Sequence, residues 1–85
     1  MPDVTLYSKS RCVDCRATYK SLEKKGLKEG IDFQVIDVTQ DEEAYAYVVA
    51  LGYLQVPVVV TADDHWSGFR PDKIIALVAS LKSAA

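Results

Sequence analysis

Eighty-five residues, 49% of them hydrophobic and 26% charged, read as one globular domain spanning residues 1–85 and exclude a disordered, collagenous or low-complexity chain. Size scaling buries roughly 63% of the unfolded surface, enough for a core with little margin. A net charge of −2 argues against nucleic-acid binding, and the longest run without a charge or amide, Ala44 to Leu54, is too short to cross a bilayer.

The chain opens on Met1-Pro2-Asp3-Val4-Thr5-Leu6-Tyr7, which lacks the basic segment and long apolar run of a secretory leader, so a cytoplasmic protein is expected. Val4 to Tyr7 predicts a short strand and Phe33 to Val38 a stronger one, both apolar enough for a buried parallel sheet. Between them Cys12 to Lys25 predicts a helix. Cys15, Thr18 and Leu22 share its inner face, Lys24 and Lys25 suit its last turn, and Gly26 can close it in the left-handed conformation. Strand, helix and strand form a right-handed βαβ unit.

Thr39 and Glu42 have capping-box spacing and predict the start of a second helix, with Ala44, Val48 and Leu51 on one face and Gly52 as its stop. Val56 to Thr61 predicts another buried strand, and the turn-prone Ala62-Asp63-Asp64 leads to a short strand near His65 and Trp66, forming a hairpin. Pro71 and Asp72 then suit the first turn of a last helix, in which Ile74, Leu77, Val78 and Leu81 share a face. The order βαβαββα predicts an α/β protein with a four-stranded mixed sheet flanked by three helices, for which a thioredoxin-like fold is the economical candidate.

Cys12-Val13-Asp14-Cys15 falls just after the first strand and opens the first helix, the context in which C-x-x-C reads as a redox pair. A sulfur at a helix N-terminus faces unpaired N–H groups and the positive end of the dipole, which favour thiolate over thiol. Cys12 is therefore the expected nucleophile, and Cys15, one turn further in, the resolving cysteine. Competing readings are weaker. A structural disulfide across so small a loop is worth only about 1.9 kcal/mol in the chain-entropy model and is disfavoured in a reducing compartment. Zinc usually wants four ligands and only His65 remains to join the thiols, so metal or cluster binding needs two chains.

Charge is uneven: residues 1–28 carry seven Lys or Arg against three acids, and residues 29–85 three against nine. A solvated helix face explains most of the lysines, with thiolate stabilisation or steering of a partner as the alternative. Arg11 adds positive charge beside Cys12. Asp14 is a favourable first-turn acid whose charge also opposes the thiolate, so Arg11 and Asp14 are the expected tuning residues. Val56-Pro57 sits where a strand tolerates proline. In Trp66-Ser67-Gly68-Phe69-Arg70-Pro71-Asp72, the aromatic residues read either as packing or as an exposed anchor for a protein partner.

The pair Cys12-Val13-Asp14-Cys15, the segment Gly52-Tyr53-Leu54-Gln55-Val56-Pro57-Val58-Val59 and the run Trp66 to Asp72 together resemble the NrdH-redoxins, small glutaredoxin-like proteins. The resemblance spans Val4 to about Leu81. It implies that Cys12 and Cys15 form the redox couple, that Pro57 is a cis-proline, and that Val56, Pro57, Trp66, Ser67, Gly68 and Phe69 meet the partner. It further implies a monomeric protein-disulfide reductase without a bound cofactor or metal. Such a protein gives electrons to the large subunit of class Ib ribonucleotide reductase, for deoxyribonucleotide synthesis, and is re-reduced by NADPH through thioredoxin reductase. Two departures stand out: Asp14 replaces a common glutamine, and the Gly26 to Ile31 connection is long. A glutathione-dependent glutaredoxin is the alternative enzyme, disfavoured because Thr61-Ala62-Asp63-Asp64 follows Pro57 in place of a Gly-Gly turn. A dimeric metal- or cluster-binding module is the alternative from another class.

Overall fold

Alternation along the first strand decides which side of the sheet each residue faces: Val4 and Leu6 go one way, Thr5 and Tyr7 the other. In the computed structural model, which describes residues 2–83, that strand is β1 (Val4–Ser8). It is followed by α1 (Val13–Lys24), β2 (Phe33–Asp37), α2 (Glu42–Ala50), β3 (Val58–Val60), β4 (His65–Ser67) and α3 (Pro71–Ser83). The sheet order is β2-β1-β3-β4, with β1 and β2 parallel and the other pairs antiparallel. This is the expected βαβαββα order and mixed sheet.

The two faces of the sheet are packed unequally. On one, Val4, Leu6, Phe33, Val59 and Trp66 meet Leu22 of α1 and Ile74, Leu77 and Val78 of α3 in a single apolar cluster. On the other, Tyr7 and Val58 meet Ala44 and Val48 of α2 in a smaller buried cluster, edged by the half-buried Ile36, Val38, Tyr53, Val56 and Val60. Cys15, Thr18 and Leu22 are the buried residues of α1, as their spacing predicts. The glycine stops also hold: Gly26 and Gly52 take φ of 93° and 98°, and the N–H of Leu27 and of Tyr53 each reach back to close the preceding helix.

Several boundaries differ from the sequence reading: β1 runs one residue past the predicted Tyr7 and β2 ends one residue before the predicted Val38. The first helix runs Val13–Lys24, one residue inside the predicted Cys12 to Lys25 at each end, because Cys12 is its cap. The second helix is capped by Asp41, whose side chain accepts from the Ala44 N–H at 3.0 Å. Thr39 does not cap it; its N–H and hydroxyl both donate to the Asp37 carboxylate, at 2.8 and 2.6 Å. The predicted strand Val56 to Thr61 shortens to Val58–Val60, because Pro57 lacks an N–H for the ladder and Thr61 already belongs to the turn, its N–H on the Asp64 carbonyl at 2.8 Å.

The long Gly26 to Ile31 connection is an ordered turn. Asp32 accepts from the Lys28 N–H at 2.7 Å and Gly30, at φ 87°, donates to the Phe33 carbonyl at 2.7 Å.

Candidate active site at the start of the first helix

Between β1 and α1 the chain must turn sharply, and it does so by placing Arg11 at φ 59°, in the left-handed region. The turn delivers Cys12 to the N-cap of α1. Its Sγ accepts from the Cys15 N–H at 3.2 Å, occupying one of the helix's otherwise unpaired donors. Cys12 and Cys15 are joined as a disulfide. Their exposures differ: Cys12 is half-buried, whereas Cys15 is only 3% exposed. One sulfur is open to visitors and the other stands behind it.

A second segment closes on the pair. Val56-Pro57 is cis, Pro57 is buried, and the Val56 carbonyl oxygen lies 3.8 Å from Cys12 Sγ. A third segment holds the second in place: the Gly68 N–H donates to the Pro57 carbonyl at 2.8 Å and the Ser67 hydroxyl to the Gln55 carbonyl at 3.1 Å. The structure thus brings Cys12, Cys15, Val56, Pro57, Ser67 and Gly68 into one constellation from three separate stretches.

Trp66 and Phe69 fall elsewhere. The expectation that Trp66 offers its ring to a partner is corrected: it is 4% exposed and packed in the α1–α3 core. Its indole N–H is buried without a hydrogen-bond partner; the burial of so large a ring offsets that cost of about 1–3 kcal/mol. Phe69 is exposed. Arg11 and Asp14 are both exposed, flanking Cys12 at the helix start.

Two hollows share Cys12 in their walls. On the α2 side a groove of about 680 Å³ is lined by Cys12, Val13, Tyr45, Tyr53, Leu54 and Val56. On the α1 side a smaller hollow of about 320 Å³ is lined by both cysteines, Arg11, Arg16, Tyr19 and Lys20. Tyr19 donates to Glu29 at 2.7 Å, and this bond, with lesser help from desolvation and nearby acids, pushes its phenol up to about 12. Among the described residues no group of three or more His, Cys, Asp or Glu could hold a metal ion, and no helix is long and apolar enough to cross a membrane.

Sequence reasoning missed Val13, Tyr45 and Leu54 of the groove. Val13 and Leu54 are 77% and 89% exposed, far more than a packing role requires. Their signal was apolar residues where the chain is not building a core: a helix start, and the stretch between the Gly52 stop and Pro57.

The Glutaredoxin family profile matches residues 4–66. The glutaredoxin-like protein NrdH of Escherichia coli K12 is 42% identical over 71 residues, covering 84% of this chain and 83% of the relative. The chain belongs to the NrdH-redoxins, within the glutaredoxin family. The NrdH protein of Lactococcus lactis MG1363 is 35% identical over 75 residues, 87% of this chain and 97% of the relative. The solved structure of Escherichia coli NrdH-redoxin superposes with a TM-score of 0.80 at 40% identity, covering 87% of this chain and 92% of that one. The glutaredoxin structure from Archaeoglobus fulgidus gives 0.72 at 30%, covering 92% and 87%. The fold is thioredoxin-like, and the protein is a thiol–disulfide oxidoreductase whose pair is Cys12 and Cys15.

Proposed function

We propose that this redoxin is a cytoplasmic, monomeric electron donor to the large subunit of a class Ib ribonucleotide reductase, re-reduced by NADPH through thioredoxin reductase, with no cofactor or metal bound in the chain itself. The observation that carries the reading is the graded exposure of the pair: a reachable sulfur on a helix cap backed by a buried one a single turn away. The identity to NrdH proteins supports the choice of partner.

In this reading the reduced Cys12 thiolate attacks one sulfur of the partner's disulfide. The partner's S–S bond breaks, a mixed disulfide forms, and the displaced partner sulfur leaves as a thiolate that takes up a proton. Cys15, having given its proton to solvent, attacks Cys12 Sγ. That step closes the Cys12–Cys15 disulfide, the state seen in this structure, and releases the partner's second sulfur as a thiolate, which is protonated in turn. Two electrons and two protons have passed to the partner. Cap N–H groups and the helix dipole stabilise the attacking thiolate. Val56 and Pro57 supply backbone against which an extended partner segment docks, held by Ser67 and Gly68. Arg11 and Asp14 tune the charge at the helix start.

The test is NADPH oxidation with thioredoxin reductase, this protein and oxidised class Ib reductase, set beside a parallel arm with glutathione and glutathione reductase. Turnover in the first arm is expected. Turnover only with glutathione makes the protein a glutaredoxin in the narrow sense, and bound metal without turnover makes it a binding module.

A further inference from the structure

Four cations on the α1 side of the redox pair share their hollow with a single acid, Glu23, which leaves that surface strongly positive. Among the described residues the ion pairs are Arg70–Asp72 and Lys73–Asp64; Lys9, Arg11, Arg16 and Lys20 are in none. All four line the α1-side hollow with the two cysteines, and all but Lys9 lie on the turn or helix that carries them. Arg16 and Lys20 follow Cys12 at successive i+4 positions, which share a helix face and rise about 6 Å per step. On the other side of Cys12 the α2-side groove, which Lys9 and Asp14 also reach, is bordered chiefly by exposed apolar side chains, Val13 at 77%, Tyr45 at 58% and Leu54 at 89%. Cys12 therefore sits on a border between a cationic surface and an apolar one.

We infer that this border reads the charge of the partner segment: the disulfide-bearing peptide that docks at Cys12 carries acidic side chains where it passes Arg16 and Lys20, and an apolar side chain where it enters the groove beside Leu54. The inference rests on the proposed docking of a protein disulfide at Cys12, and it holds whichever protein supplies that disulfide. Exposed, unpaired charges act chiefly on the encounter, raising association rates for a complementary partner and losing that effect in salt.

The probes are three synthetic peptides of equal length, each closed by one internal disulfide. One is flanked by glutamates and a leucine, one by lysines and a leucine, and one by glutamates and a serine. Each rate with the dithiothreitol-reduced protein is divided by the same peptide's rate with dithiothreitol alone, which removes its intrinsic reactivity. No reductase or ribonucleotide reductase is present, so the result is independent of those partners. The glutamate–leucine peptide is expected to react roughly tenfold faster than the lysine–leucine peptide at low ionic strength. The ratio should approach one in about 0.5 M NaCl, and it should fall severalfold in Arg16→Gln/Lys20→Gln at low salt. The serine peptide should be slower than its leucine counterpart at both salt levels. Equal normalised rates, or a preference that survives both salt and the double substitution, would overturn the charge reading. A serine peptide as fast as the leucine peptide would overturn the apolar half.

Discussion

The two faces of the sheet do different jobs, and the difference explains where the chemistry sits. The face under α1 and α3 carries the larger cluster, with Phe33, Leu6, Leu22 and Ile74 fully buried. The face under α2 carries only Tyr7, Ala44, Val48 and Val58 as buried members, while Tyr45, Tyr47 and Val49 of the same helix stay exposed. Two helices seal the first face and fix the base of α1. One helix only partly covers the second, leaving the groove open beside Cys12. Stability is concentrated on one side, and the larger of the two openings at Cys12 lies on the other.

The sharpest way to break this contrast is to truncate a large side chain on each face. Phe33→Ala or Trp66→Ala should cost about 3–5 kcal/mol in urea unfolding, the usual cost of an aromatic core cavity. Val48→Ala on the α2 side should cost about 1.5 kcal/mol, the transfer free energy of the carbons removed. Comparable losses would mean the faces share the load. The Trp66 variant also tests its placement, since an exposed docking aromatic could be removed with little loss of stability.

Smaller changes sharpen the picture at the helix ends. Asp41→Ala should destabilise by about 1 kcal/mol through loss of the cap on α2, whereas Thr39→Val, at the position the capping box favoured, should leave α2 intact by amide exchange. At the redox end, Asp14→Asn should move the alkylation profile of Cys12 to lower pH by about half a unit. That matches an exposed charge interaction of a few tenths to 1 kcal/mol. An unchanged or raised midpoint would remove Asp14 from the tuning of the thiolate.

The smallest effect concerns the hairpin. Lys73 Nζ, donating at 2.9 Å, together with the His65 N–H, holds the Asp64 carboxyl below the usual carboxylate range. A lowered folded-state value means that its contribution is complete above the unfolded value of about 4 and is lost as pH falls through the folded one. Asp64→Asn should therefore lower stability slightly at neutral pH and leave it nearly unchanged near pH 2, so that the acid limb of the profile flattens, as thermal melts across pH 2–7 would show.

Much of the fold was legible because periodicity is a local signal. Cys15, Thr18 and Leu22 announce the inner face of α1, and Ile74, Leu77 and Val78 that of α3, by spacing alone. The cap of α2 was not, because Thr39 and Asp41 are both good caps and only the fold shows that Asp37 has already engaged Thr39. The redox pair was legible from its position after a strand. The groove was not: Val13, Tyr45 and Leu54 come from distant stretches and meet only through the sheet order. Trp66 shows the converse limit, since an aromatic in a distinctive motif fits packing and docking equally well until its burial is known.

The central claim is that Cys12 captures the partner and Cys15 releases it. Intact-mass analysis of reduced Cys15→Ser, incubated with oxidised class Ib ribonucleotide reductase large subunit, tests it most directly. A covalent one-to-one adduct through Cys12, broken by dithiothreitol and missing from reduced wild type and from Cys12→Ser, is the predicted result. An adduct through Cys15 in Cys12→Ser, with none through Cys12, would contradict the account.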